Sequence, residues 1–135
     1  MKRIALEATV ENIIVVTDFI NKELDYLKCN EKSKLEIDIA IDELFGNIAN
    51  YAYKDKVGKA EVLFEAVDDN TAVEITFIDN GIPYNPLERE NPDISLSAEE
   101  RTIGGLGIYI VRQSMDDISY EFKEDSNILT IKKKI

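Results

Sequence analysis

The stretch AIDELFGNIANYAY, residues 40 to 53, determines how the rest of this chain is interpreted. Its apolar residues recur with the period of an α-helix, so that at about 100° per residue they form one stripe. The stripe comprises Ile37, which precedes the quoted stretch, and Ile41, Leu44, Phe45, Ile48 and Ala52 within it. The opposite face carries the polar residues Glu36, Glu43, Asn47 and Asn50. We expect the stripe to be core, and the polar face to be either an ordinary solvated surface or part of a binding site.

The flanking sequence predicts further helices and β-strands around this helix. Helices are expected at 11–27, at 31 or 33 to 53 with Ser33 and Glu36 as a capping box, and at 104–115. Strands are expected at 2–10, 59–67, 71–78, 118–122 and 128–131, with hairpin turns at 68–70 and 125–127. Residues 84–103 read as a long loop. The 135 residues therefore predict one α+β domain with an antiparallel or mixed sheet.

Composition narrows the classes of function. A formal net charge of −11 argues against a sequence-independent grip on nucleic acid and favours basic protein partners. No apolar run is as long as a membrane span, and the first residues lack a signal-peptide pattern, so we expect a cytoplasmic protein without membrane contact. The basic run Lys132 to Lys134 is expected to be a solvated terminus.

The chain has no histidine and one cysteine, Cys29. Histidine-dependent nucleophilic triads, histidine-ligated zinc and phosphoryl storage on a histidine of this chain are therefore excluded. An internal disulfide is excluded as well, and Cys29 has no assigned role. A magnesium ion held by oxygen ligands remains open.

Two further motifs follow the helix motif in a fixed order. Asp79-NGIP comes after a strand, and Gly104-GLG opens a helix. Alone, the first is explained by a β-turn and the second by tight packing. Together the three motifs indicate an adenine nucleotide site, because they supply different parts of it. The helix offers a carboxylate and an amide, Asp79 beside Gly81 reads a flat polar ring edge, and the helix start offers backbone amides to phosphate.

At these residues the chain resembles the histidine-kinase-like ATPase superfamily, which also holds gyrase, Hsp90 and MutL-type proteins. The superfamily's N box corresponds to residues 43–47, its Asp-x-Gly-x-Pro box to 79–83 and its glycine-rich box to 104–107. AIDELFGNIANYAY and the ending GGLGIYIVRQSMDDISY look most like the small bacterial anti-sigma-factor serine/threonine kinases. The resemblance implies a Bergerat ATP-binding fold: a two-layer α/β sandwich in which about three helices cover a mixed, mostly antiparallel sheet. It implies ATP or ADP and Mg²⁺ as cofactors.

The resemblance also implies roles for single residues. Asn47 would complete the coordination of Mg²⁺, and Glu43 would orient or deprotonate the attacking serine hydroxyl or water. Asp79 would accept a hydrogen bond from the adenine amino group, and Gly81 would let the base approach the backbone. Arg101 would either neutralise the terminal phosphate or be a solvated loop arginine. The implied nucleotide-binding set also includes Asn50, Pro83, Gly104, Gly105, Leu106, Gly107 and Asn127.

Several expectations concern the loop, the departures from the family and the assembly. Residues 84–103 would be a lid ordered by ATP. Close relatives often have histidine where Tyr51 stands, and a threonine on the penultimate strand, near the adenine, where Asn127 stands. Homodimerisation through the first strand and helix is implied. Ile4, Leu6 and Val10 alternate suitably for that interface, although burial under the domain's own helices explains them too.

Three functions compete. The first is a serine/threonine kinase that phosphorylates a small antagonist protein and, in another state, sequesters a sigma factor. The second is a nucleotide-gated protein-binding module with negligible catalysis, which the presence of Glu43 disfavours. The third is the catalytic fragment of a sensor histidine kinase, disfavoured because the chain starts directly at the domain and has no dimerisation helix or acceptor histidine.

Overall fold

In the part of the chain that the structure describes, five strands form one sheet, and three α-helices cover one of its faces. The structure, a computed structural model, describes residues 1–88 and 105–135. In chain order the elements are β1 (Lys2–Glu7), α1 (Ile13–Tyr26), α2 (Glu31–Asn47), β2 (Lys59–Val67), β3 (Ala72–Asp79), α3 (Gly105–Ser114), β4 (Asp117–Lys123) and β5 (Ser126–Lys134). The strands lie in the order β1-β2-β3-β5-β4, and all four pairings in the described ranges are antiparallel. The predicted two-layer α+β sandwich is confirmed.

The core lies between the sheet and the helices. Alternate residues of β3 face the helices, so that Ile75 and Phe77 are almost completely buried. The apolar stripe predicted for α2 is confirmed, since all six of its members are buried. Further core residues come from the other elements: Val16, Ile20 and Leu24 of α1, Val62 and Phe64 of β2, Ile108 and Val111 of α3, and Leu129 and Ile131 of β5.

Helix α2 begins at a different cap from the one predicted. The side chain of Asn30, whose backbone is extended, accepts a hydrogen bond from the Ser33 amide at 2.8 Å. Asn30 is therefore the N-cap, and the capping box at Ser33 is wrong. Ser33 instead donates its hydroxyl to the carbonyl of Lys134 at 3.0 Å, which ties the start of α2 to the end of β5. After Asn47 the helix widens into a π-helical turn over Ile48–Ala52.

The two hairpin turns follow the aspartate and asparagine signals. Asp68, Asp69 and Asn70 all have positive φ, which confirms the predicted β2–β3 turn. In the second hairpin the turn is Glu124-Asp125, with φ of 53° and 62°, because Lys123 pairs with Ser126 across a two-residue loop. The turn therefore comes before the predicted 125–127. Ser126 and Asn127 belong to β5, the last strand in sequence rather than the penultimate one.

Strand β1 is shorter than predicted. It ends at Glu7, and a 3₁₀ turn over Val10–Asn12 precedes α1. Ile4 and Leu6 pack against the chain's own core, whereas Val10 is 53% exposed. Burial under the domain's own helices thus accounts for Ile4 and Leu6, and homodimerisation stays a prediction. Of the predicted loop at 84–103, residues 84–88 are described and contain a 3₁₀ turn at Pro86–Glu88. The other part of that loop lies outside the described residues.

Of the basic run predicted to be a solvated terminus, Lys134 is exposed, whereas Lys132 and Lys133 are partly buried and paired with carboxylates. The Lys132 ammonium lies 2.8 Å from the Asp68 carboxylate, and the hydrogen bond between them raises the pKa of Lys132. The Lys133 ammonium lies 3.1 Å from Glu36 and donates to the carbonyl of Ser114 at 2.6 Å. These contacts arise because β5 lies inside the sheet, between β3 and β4. In the described ranges, no helix has the length and apolar character needed to cross a membrane.

A half-buried carboxyl, Asp38, lies at the contact between α1 and α2. Burial raises its pKa above the ordinary value of 3.8, and an Asn21 hydrogen bond and the charge of Lys34 offset this only in part. Its Oδ1 and the Oδ1 of Asn21 are both buried without a hydrogen-bond partner in the described structure. Charged Asp38 therefore costs stability at neutral pH.

Asp38→Asn is expected to raise the free energy of unfolding at pH 7, because it removes the charge of a half-buried group that burial disfavours. A raised pKa in the folded state means that the cost of the charge is present at neutral pH. It is lost as the pH falls through the folded-state pKa towards 3.8. Urea unfolding of parent and variant from pH 4 to pH 7 should show a gain that shrinks towards the acidic end. A gain independent of pH would contradict this account.

Candidate nucleotide-binding site

A cavity of about 430 Å³ lies between α2, its π-helical extension and the ends of β3 and β5. Its walls are mainly apolar and aromatic, with a few polar groups, as in sites for flat organic ligands. The polar lining residues are Asn47, Asp79 and Asn127. The other lining residues are Leu44, Ile48, Tyr51, Ala52, Phe77, Ile82, Tyr84, Pro86, Tyr120 and Leu129.

Asp79 is the buried carboxylate of this cavity, with 5% of its surface exposed. Its Oδ1 accepts two hydrogen bonds, from the amide of Gly81 at 2.9 Å and from Asn127 Nδ2 at 3.0 Å. Its Oδ2 forms no hydrogen bond within the part of the chain that the structure describes. The two oxygens therefore differ: Oδ1 is held by the protein, and Oδ2 keeps its capacity to accept a hydrogen bond.

Gly81 follows Asp79 where the chain passes against the end of the α2 extension. The next amide, that of Ile82, donates to the carbonyl of Ala52 at 2.9 Å. A Cβ atom on Gly81 would lie 2.2 Å from that carbonyl oxygen and 2.6 Å from its carbon. Only glycine fits here, because the obstacle is backbone that cannot rotate away.

Gly81→Ala is expected to lower the free energy of unfolding by about 1–3 kcal/mol, because the extra methyl group separates residues 81–82 from Ala52. Gly46→Ala on α2 is the matched control. Its Cβ would meet only Ile13 Cδ1, at 3.8 Å, and alanine is the better helix former, so stability should rise by about 0.5–1 kcal/mol. Urea denaturation measures both. Equal effects of the two substitutions would argue against the close approach at Gly81.

The opposite end of the site is formed by α2 and α3. Asn47 Nδ2 donates to Glu43 Oε1 at 3.3 Å, one helical turn away. This contact directs the nitrogen of the amide towards Glu43 and leaves the Asn47 oxygen as a hard ligand. A Cβ atom on Gly107 would lie 2.1 Å from Glu43 Oε2. The Glu43 carboxylate therefore lies against the first turn of α3, where backbone amides lack helical partners and negative charge is favoured.

The structure groups the predicted site residues at two ends of one region. Asp79, Gly81 and Asn127 lie together at one end, and Glu43, Asn47 and Gly107 at the other. Three predicted residues have exposed side chains and do not line the cavity: Asn50, Pro83 and Leu106. Gly105 is the first residue of α3, whereas Arg101 and Gly104 lie outside the described residues.

Aromatic residues of the cavity were not predicted as site residues. Tyr51, Tyr84 and Tyr120 all line it. For Tyr120 the sequence shows only that it alternates with Ile118 on β4, whereas the pairing with Leu129 in the structure places it on the helix-covered face. Burial raises the pKa of Tyr120, and its hydroxyl donates a hydrogen bond to Asn127 Oδ1.

Tyr53 was not predicted as a site residue either, and its hydroxyl holds the backbone next to the site. Its hydroxyl donates to the carbonyl of Lys59 at 2.6 Å and accepts the amide of Asn80 at 2.9 Å. It thereby joins the start of β2 to the residue that follows Asp79. Burial raises the pKa of Tyr53, in keeping with a protonated phenol that donates.

The site has few side-chain oxygens that could bind a metal ion, which fits a Mg²⁺ ion coordinated mostly by the phosphate oxygens of a bound ligand. In the described ranges, no cluster of three or more carboxylate or thiol side chains is arranged to hold a metal ion. Mg²⁺ usually keeps several waters and takes one or two protein oxygens together with phosphates. The Asn47 oxygen is suited to be one such protein ligand.

Comparisons with known proteins point to one family. The family model described as histidine kinase-like ATPase domain matches residues 6–133. The serine-protein kinases RsbW of a Bacillus cereus strain and of Bacillus thuringiensis subsp. konkukian are each 37% identical to this chain over 101 residues. RsbW of Bacillus mycoides is 33% identical over the same length. Each alignment covers 72% of this chain and 62% of the relative, so the match spans less than two thirds of those proteins.

Among solved structures, the catalytic domain of histidine kinase ThkA is similar with a TM-score of 0.49 and 16% identity, covering 99% of this chain and 97% of that one. The family model covers almost the whole chain and includes all three sequence motifs. The chain therefore belongs to the histidine kinase-like ATPase domain family.

Proposed function

We propose that this chain binds ATP and ADP with Mg²⁺ and is a serine/threonine protein kinase. The observation that supports the proposal is that one region has a hydrogen-bond acceptor at one end and a helix start beside a carboxylate–amide pair at the other. Asp79, which lines the cavity and whose Oδ1 is held by Gly81 and Asn127, lies at one end. The Glu43–Asn47 pair lies at the other end, with the Glu43 carboxylate against the first turn of α3. An adenine base and a phosphate chain need such a separation of an acceptor from an anion-binding helix start.

The base would lie in the cavity, between apolar walls. Asp79 Oδ2 accepts its amino group, and Gly81 permits close approach beside that carboxylate. The phosphates would lie near Gly105, Leu106 and Gly107, where the first amides of α3 favour anions. The Asn47 oxygen would hold a Mg²⁺ ion on the protein side, and that ion would supply positive charge to the phosphates.

Glu43 is the proposed general base. In the transfer step, the oxygen of an acceptor serine forms a bond to the γ-phosphorus while the bond from that phosphorus to ADP breaks. The hydroxyl proton passes to the Glu43 carboxylate. The hydrogen bond from Asn47 to Glu43 Oε1 fixes the carboxylate on α2, so that the base and the metal ligand keep one relative position.

The proposed protein substrate is a serine on a small anti-sigma-factor antagonist, and a second proposed partner is the sigma factor that this chain sequesters. The names of the RsbW relatives, serine-protein kinases, support a serine acceptor. The net charge of −11 supports protein partners rather than nucleic acid. We further propose that the protein acts as a cytoplasmic homodimer.

A transfer assay tests this function. The chain is incubated with magnesium, ATP labelled at the γ-phosphate and a candidate antagonist, and the label on the antagonist is followed with time. We expect phosphoserine on the antagonist, and none on a serine-to-alanine version of it. Nucleotide binding without any transfer would overturn the kinase proposal and leave a nucleotide-gated protein-binding module.

A further inference from the structure

Asn127 of β5 has every hydrogen-bonding position of its side chain filled. Its Nδ2 donates to Asp79 Oδ1 at 3.0 Å and to the carbonyl of Ile82 at 2.9 Å. Its Oδ1 accepts the amide of Tyr84 at 3.0 Å and the hydroxyl of Tyr120. A carboxamide has two donor hydrogens and two acceptor lone pairs, so all four are used. Asn127 is also buried, with 6% of its surface exposed.

The orientation of this amide follows from its backbone partners. The Tyr84 N–H can only donate, and the Ile82 carbonyl can only accept. Oδ1 must therefore face Tyr84 and Nδ2 must face Ile82. With the amide fixed in this way, its second N–H points at Asp79 Oδ1.

We propose that Asn127 is a positioning residue which acts through Asp79 and does not itself contact the base. It holds Oδ1 of Asp79, so that Oδ2 is presented to the amino group, and it fastens residues 82–84 to the sheet. This inference rests on the proposed nucleotide function and departs from the expectation that Asn127 binds nucleotide directly. A direct contact would break one of four buried hydrogen bonds and leave a polar group without a partner.

Two consequences separate this role from direct contact. First, loss of the side chain should release the Tyr84 amide whether or not nucleotide is present. Second, it should abolish the preference for ATP over purine riboside triphosphate, which lacks the 6-amino group that Asp79 would read. A direct contact with the ring would instead weaken both nucleotides and leave the preference intact.

Hydrogen exchange in the nucleotide-free protein measures the first consequence. Asn127→Ala should speed exchange at Tyr84 by about tenfold or more, because the amide loses its acceptor. Asn127→Asp should leave Tyr84 protected, since a carboxylate oxygen still accepts that N–H. Thr130→Val is the control. It removes a side-chain hydrogen bond to Thr76, at 3.0 Å, from the other face of β5 and should leave Tyr84 unchanged. Unchanged exchange in Asn127→Ala would overturn the fastening role.

Calorimetric titration with the two nucleotides measures the second consequence. We expect the parent and Thr130→Val to prefer ATP by about 10-fold or more, the scale of one lost buried hydrogen-bond partner. Asn127→Ala and Asn127→Asp should bind both nucleotides within about threefold of each other. In Asn127→Asp, a carboxylate oxygen replaces the Nδ2 group that donates to Asp79 Oδ1, so Asp79 is no longer held by this residue. An intact preference in either variant would overturn the positioning role.

The two measurements distinguish a failure of the proposed function from a failure of the positioning role. If the parent binds neither nucleotide, the proposed function is wrong, while the exchange result still decides whether Asn127 fastens residues 82–84. If the parent binds ATP and both Asn127 variants keep the preference, the function stands and the positioning role is wrong. Should Asn127→Ala fail to fold, Asn127→Asp, which has nearly the same shape, decides the question through its preference.

Discussion

Glu43→Gln is expected to slow phosphoryl transfer by about 10²- to 10⁴-fold, the usual contribution of a general base, while ADP binds within about threefold of the parent. Glutamine has the shape of glutamate and can still accept the Asn47 hydrogen bond through its carbonyl oxygen. The amide then replaces Oε2 beside Gly107 and cannot take a proton from serine. Single-turnover transfer and calorimetric titration with ADP measure the two properties separately.

The matched control for Glu43→Gln is Asp42→Asn, one residue earlier on α2. Asp42 is exposed, so the same loss of charge on the same helix should leave both transfer and binding unchanged. Full transfer by Glu43→Gln would show that the base lies elsewhere. A loss of ADP binding as large as the loss of transfer would show that Glu43 acts in binding rather than in chemistry.

Asp79→Asn is expected to weaken ADP binding by about 100-fold or more. The two donors at Oδ1, from Gly81 and Asn127, require an oxygen there, so the new amide nitrogen must take the place of Oδ2. A donor then faces the amino group of the base, and an attractive contact becomes a repulsive one. Losing an acceptor that is charged and buried costs about 3 kcal/mol, which corresponds to about two orders of magnitude in Kd.

Asp69→Asn is the matched control for Asp79→Asn. Asp69 is exposed in the β2–β3 turn with φ of 54°, a conformation that asparagine also adopts readily. The Asp69→Asn variant should therefore bind ADP with the same affinity as the parent. If Asp79→Asn bound ADP as tightly as the parent, Asp79 would not be the adenine acceptor, and the assignment of the cavity to the base would be wrong.

Local patterns were sufficient to predict most of the fold. The apolar stripe of α2 has a clear helical period, and β3 alternates, so both elements follow from the sequence of a few neighbours. The turn at 68–70 follows in the same way, because Asp and Asn tolerate positive φ. The grouping of Glu43 with Asn47 follows from a spacing of four residues on one helix.

Contacts between distant parts of the chain could not be predicted from those patterns. Asn127 lies opposite Asp79 because of the register between β3 and β5, two strands that are not consecutive in the chain, and a shift of one residue in that register would have moved its side chain to the other face of the sheet. Its bonds to Ile82 and Tyr84 join segments more than 40 residues apart. The obstacle at Gly81 likewise comes from Ala52, on a different element.

The same limit applies to the ends of elements and to the cavity wall. Asn30 and Ser33 are both good capping residues, and the choice between them depends on Ser33 reaching the carbonyl of Lys134 at the far end of the chain. From the sequence alone, Lys133 is expected to be a solvated lysine at the end of the chain. In the structure β5 lies inside the sheet, which brings Lys133 beside Glu36 of α2. Tyr120 lines the cavity because of strand pairing, which the sequence of β4 alone does not reveal.

The most direct test of the central claim is calorimetric titration of the purified chain with ADP and with ATP, each with magnesium, beside the Asp79→Asn and Asp69→Asn variants. We expect one saturable site per chain in the parent and in Asp69→Asn, and binding weakened by about 100-fold or more in Asp79→Asn. Absence of binding by the parent, or equal binding by the parent and Asp79→Asn, would contradict the assignment of this cavity as an adenine nucleotide site.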